Sequence, residues 1–93
     1  MAVGANECVM VHGPNHHLVQ NFPLKFNSPA DAHAWWGQCD LVDLHTHWIL
    51  RDPSRNNMEL RRFNTLAGAR TWEQGLKIKI HNVYYNLVNT PVF

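Results

Sequence analysis

A chain of 93 residues with 45% hydrophobic and 11% aromatic content can bury one modest core, which sets aside general disorder. The formal net charge of +1 hides an asymmetry: residues 1–46 hold one lysine against four carboxylates, a net −3, and residues 47–93 hold seven cations against three carboxylates, a net +4. Two cysteines, Cys8 and Cys39, are too few for a disulfide scaffold, no apolar run approaches the ~20 residues of a membrane span, and the N-terminus lacks a basic-then-apolar leader. The expectation is a soluble cytoplasmic protein with reduced thiols.

Along the chain, Glu7 to His12 reads as a short strand with Val9 and Val11 on one face. Gly13-Pro14-Asn15 is a turn signal, and His16 to Phe26 reads as a second strand with Leu18, Phe22, Leu24 and Phe26 on one parity and Pro23 at an edge or bulge. Ser28 as N-cap, Pro29 at the first helical position and Asp31 in the first turn predict a helix whose inward stripe is Ala32, Trp35 and Cys39, with Trp36 beside it. Leu41 to Arg51 alternates throughout and reads as one strand: Val42, Leu44, Thr46, Trp48 and Leu50 face inward, Asp43, His45, His47, Ile49 and Arg51 outward. Asp52 to Asn56 is a polar turn, and Met58 to Phe63 returns as the second arm of a hairpin. A second helix begins at Thr65, carries Ala69, Trp72 and Leu76 inward and ends near Gly75. Lys77 to His81 alternates as a strand, Val83 to Val88 continues it or pairs back, and Asn89-Thr90-Pro91 ends regular structure.

Phe26-Asn27-Ser28 to Trp35 returns as Phe63-Asn64-Thr65 to Trp72, preserving Phe-Asn, a hydroxyl residue, two alanines and the tryptophan at a constant offset of 37 positions. This is an internal repeat, with units of about 7–39 and 43–76 inside a single 1–93 domain. The resulting order, ββα, ββα, then β, predicts an α+β fold: a single antiparallel sheet with two helices on one face, ferredoxin-like βαββαβ with an extra N-terminal strand.

On that fold the outward parity collects His45, His47, Arg51, Arg61, Lys77, Lys79 and His81, joined by Tyr84 and Tyr85, as a docking face for a protein partner with an acidic surface. Compact α+β chains of this size are frequent among phage and mobile-element products that inhibit host complexes, anti-CRISPR proteins among them, and a small non-catalytic binding module of that class is the leading expectation. A second reading is contact with a nucleic-acid backbone through Arg55, Arg61, Arg62, Lys77 and Lys79. Met58 to Phe63 lacks the glycine and spaced aromatics with which an RNA-recognition strand stacks bases. A third is a zinc site or small metalloenzyme: His45-x-His47 shares one side of the expected strand, with His16, His12, His17, Cys8 or Asp43 to complete the shell. The chain holds no Cys-x-x-Cys, no His-Glu-x-x-His and no Gly-rich phosphate loop, and Cys39 falls on a buried stripe, so no catalytic residue is assigned. His12, His16 and His17 around the first turn suit a response to mildly acid pH.

Overall fold

The computed structural model describes residues 9–88. Glu7 and Cys8, at the expected start of the first strand, and Asn89-Thr90-Pro91, at the expected end of regular structure, lie outside the described residues. Among the described residues two α-helices and six strands follow in order, with short 3-10 turns at Pro14–His16 and Pro53–Arg55: β1 (Met10–His12), α1 (Pro29–Gln38), β2 (Asp40–Asp43), β3 (Trp48–Asp52), β4 (Met58–Phe63), α2 (Leu66–Gln74), β5 (Lys77–Ile80) and β6 (Val83–Asn86).

Both repeated helices are present and start alike. The backbone N–H of Asp31 donates to Ser28 Oγ at 3.1 Å, and that of Gly68 donates to Thr65 Oγ1 at 3.0 Å, each satisfying a donor that an uncapped helix leaves unpaired. Their ends match too: Cys39 N donates to Trp36 O at 3.1 Å, and 37 positions later Leu76 N donates to Glu73 O at 3.0 Å. The same offset carries Ala32 onto Ala69, both fully buried, and β2 onto β5. The correspondence therefore runs forward from each helix into the strand after it.

The class is α+β with two helices, but the strands do not form the one ferredoxin-like sheet. They form two three-stranded antiparallel sheets, ordered β2-β3-β4 and β1-β5-β6. Each has a face in one common core, which contains Leu50, Leu60 and Phe63 from the first and Val9, Val11 and Ile78 from beside or within the second. Alternation along a strand records which residues are buried, not which sheet the strand joins.

Two further expectations are corrected. Leu41 to Arg51 is a hairpin instead of one strand: β2 and β3 pair antiparallel, Leu44 N donates to His47 O at 3.0 Å, and His45 takes φ 69° at the bend. The Asp43 carboxylate accepts from His45 N at 2.8 Å, the side-chain turn by which Asp competes with strand pairing. His16 to Phe26 is not a strand, and pairs only through isolated bridges of Leu18 to His12 and Phe26 to Val9. In β4 the register shifts so that Leu50 faces Arg61 and Arg51 faces Glu59; Leu60 is the extra residue of a bulge, which lets Leu60 and Phe63 both turn inward.

Phe22, 5% exposed, sits between the repeated tryptophans, with ring centroids 5.1 Å from Trp35 and 6.0 Å from Trp72. Aromatic pairs at these separations add to the area they bury. The other fixed point is polar. Asp52 is fully buried and accepts from Trp35 Nε1 at 2.7 Å, Ser54 N at 3.0 Å, Ser54 Oγ at 2.6 Å and Arg55 Nε at 2.6 Å. Arg55 continues to the carbonyl of Asn21, whose side-chain amide donates to Glu59 O at 3.1 Å. One carboxylate thus links α1, the end of β3, the irregular segment before α1 and β4.

Replacing Phe22 with Ala should cost about 3–5 kcal/mol in urea unfolding, because it empties a site bordered by both repeats. Burial pushes the Asp52 carboxyl up, but hydrogen bonds from Ser54, Trp35 and Arg55 outweigh it and hold it down at about 2, against 3.8 for the free group. The folded chain then resists protonation, so this stabilisation is complete above pH 3.8 and drains as pH falls toward about 2. Acid unfolding should show a loss of roughly 2 kcal/mol across that window, absent in Asp52→Asn, which is destabilised already at neutral pH.

Candidate functional site

The first turn lies between a cluster of rings on one flank and a cleft on the other. Asn15 and His16 both take left-handed backbone, φ 62° and 63°, and the turn closes through Gly13 N to His17 O at 2.7 Å and His16 N to Gly13 O at 3.0 Å. On one flank the His16 ring stacks on Tyr84 at 4.0 Å and 6° between planes, and His12 meets the same ring edge-on at 5.3 Å and 84°. Lys79 faces Tyr84 directly across β5 and β6, with its Nζ 5.9 Å from the ring centroid.

On the other flank lies a cleft of about 390 Å³. Pro14, Leu18 and Val19 line it from the turn and the segment after it, and Leu60, Arg61 and Trp72 from β4 and α2. The Arg61 guanidinium carbon stands 5.1 Å over the Trp72 ring and 5.8 Å from that of Phe63, a cation–π arrangement that holds a planar charge in place. The close fit depends on Gly75 at the end of α2: a Cβ there would lie 2.7 Å from Pro14 Cγ.

Cations divide into committed and available sets. Arg51 pairs with Asp40 at 2.8 Å, Arg55 with Asp52 at 2.6 Å and Arg62 with Glu59 at 3.0 Å. Arg61, Lys77 and Lys79 form no ion pair among the described residues. The residues expected on one docking face are accordingly distributed. Lys77, Lys79 and Tyr84 share a face of the second sheet with His12, Arg61 sits at the cleft, and His81 occupies the β5–β6 turn at φ 49°. Tyr85 falls on the opposite parity of β6, 39% exposed, and His45, His47 and Arg51 belong to the β2–β3 hairpin of the other sheet.

The expected zinc shell is not assembled: among the described residues no three His, Cys, Asp or Glu side chains are grouped to hold a metal ion, and Cys8 lies outside them. His45 and His47 stand in a tight turn, with His47 Nδ1 2.9 Å from Thr46 Oγ1. Burial, then the neighbouring Asp52 charge, pushes the Cys39 thiol up to about 12, where thiolate chemistry is suppressed. No helix among the described residues is long and apolar enough to cross a membrane.

The sequence signal missed here is Trp72. The repeat marks it as core, yet it is only half-buried and serves as a wall of the cleft. No protein-family model, curated protein or solved structure matches the chain.

Gly75→Ala should force Pro14 away from α2, lowering the melting temperature and changing the Trp72 indole resonance. Gly37→Ala is the control: its Cβ would meet nothing within 4 Å, and removing a helical glycine should leave stability unchanged or raise it by about 0.5–1 kcal/mol.

Proposed function

We propose that the chain is a non-catalytic docking module, an adaptor or inhibitor, that grips an acidic and apolar segment of a protein partner across the Gly13–His17 turn. The observation that carries this reading is Arg61, held over Trp72 at the rim of a cleft of mixed lining, apolar at Pro14, Leu18, Val19 and Leu60 and polar at Asn15, His17 and Gln20, and left without a carboxylate among the described residues. An arginine fixed on an indole is pre-organised to accept a carboxylate with two parallel hydrogen bonds, while a neighbouring apolar side chain fills the cleft beneath it. Lys77 and Lys79, on the sheet that carries Tyr84, extend the positive field beyond the turn and favour encounter with an acidic surface. Aromatic and arginine side chains at the centre of a contact surface suit recognition of a partner.

Nucleic-acid contact is the weaker reading, since Arg55 and Arg62 of its five expected cations are engaged by Asp52 and Glu59. Once the partner is isolated by cross-linking in the native host, Arg61→Glu should weaken its binding by roughly thirtyfold, the ~2 kcal/mol loss typical of an arginine anchor. His45→Ala, in the hairpin of the other sheet, should leave binding intact. Equal affinity for wild type and Arg61→Glu would refute the assignment.

A further inference from the structure

The turn that walls the cleft is fastened to the second sheet by one imidazole of its own, His16, on a phenol that His12, the last residue of β1 in that sheet, also touches. His16 lies flat on Tyr84 and His12 stands edge-on to it. His12 is only 5% exposed, and its Nδ1 has no hydrogen-bond partner among the described residues. A buried imidazole with an unpaired nitrogen leaves one polar atom unsatisfied as a neutral ring, and as a cation it adds a buried, unpaired charge, which costs far more. We propose that this fastening is a pH-operated clasp: charging the buried His12 in mildly acid medium disturbs the Tyr84 ring that it shares with His16, releases the Gly13–His17 turn from that ring and takes the cleft apart. What the clasp controls rests on the docking reading; that it opens does not.

The groups around His12 set the sign. From β5, Lys77 stands directly opposite it in the ladder and Lys79 lies two positions on; from the turn comes His16, and from β6 the Tyr84 ring. Burial acts most strongly to disfavour the charged ring; Lys79 and His16 add repulsion, and only the nearby Met10 backbone favours the cation. Lys79 already stands 5.9 Å from the Tyr84 centroid, so a charged His12 brings a second cation beside that ring. His12 in the closed turn therefore binds its proton below 6.5. The open state holds more protons between that lowered value and 6.5, so closure is complete above this window and weakens as pH falls through it.

The opening reaches the cleft because the same five residues have two sides. Pro14 and His17 line the cavity while His16, between them in sequence, holds Tyr84. Losing the stack frees the wall that Pro14 forms against Gly75 and Trp72.

The test follows the free protein by NMR from about pH 8 to about pH 5, reading the His12 imidazole, the Tyr84 ring and the Trp72 indole together. All three should move in one transition with a midpoint below 6.5. His12→Phe should abolish the movement at Tyr84 and Trp72, and Lys79→Met, which removes a cation while keeping the ring pair, should shift the midpoint upward. Tyr84 and Trp72 signals that stay fixed while His12 titrates, or that move unchanged in His12→Phe, would overturn the clasp; should His12→Phe not fold, an unmoved midpoint in Lys79→Met does so. If the cleft opens on this schedule but partner affinity does not follow pH, the docking reading fails and the clasp stands.

Discussion

A single buried carboxylate does for this chain what its small core cannot do alone. Isolated charge in an apolar interior is strongly unfavourable, and Asp52 is tolerated because four donors surround it, one of them the guanidinium of Arg55. Those donors come from α1, from the turn after β3 and, through Arg55 and Asn21, from contact with the segment that precedes α1 and with β4. That segment has almost no regular structure, so the Arg55 and Asn21 bonds, with Phe22 beside them, locate it. The walls of the cleft follow, because Leu18 and Val19 belong to the same run of chain and Leu60 follows Glu59 in β4.

The duplication makes the site intelligible as a departure from symmetry. Trp35 and Trp72 occupy equivalent places behind equivalent caps, and both touch Phe22. In the first copy the indole N–H is consumed by Asp52 and the ring is buried. In the second, a cation from β4 rides on the ring and the turn leaves space beside it. The same local fold thus yields a structural tryptophan once and the wall of a cleft once.

How far the sequence discloses this depends on the range of the interaction involved. Helix starts are local: Ser28 and Thr65 bond to N–H groups three residues on, and their residue types announce it. Inward stripes are legible for the same reason, as the burial of Ala32, Trp35, Ala69 and Leu76 shows. Leu44-His45-Thr46-His47 hides a hairpin because it has no Gly, Pro or Asn and keeps its alternation through the bend; Asp43, bonded to His45 N, is the one local clue. The partition into two sheets and the cleft at Trp72 are settled by distant approaches, of β1 to β5 and of Pro14 to Gly75, that leave no periodic trace. Lys79 and Tyr84 are legible as outward residues, but their meeting with His12 and His16 needs the turn to fold back over β6.

The central claim is that partners are met at the turn and cleft, not at the hairpin that carries His45 and His47. Photo-cross-linking decides it, with a benzophenone side chain placed either at Leu18, 57% exposed on the cleft wall, or at His45 in the β2–β3 turn. The account predicts that the Leu18 probe forms an adduct with an acidic segment of one partner and that the His45 probe does not. Adducts formed from position 45 and absent from position 18 would contradict it.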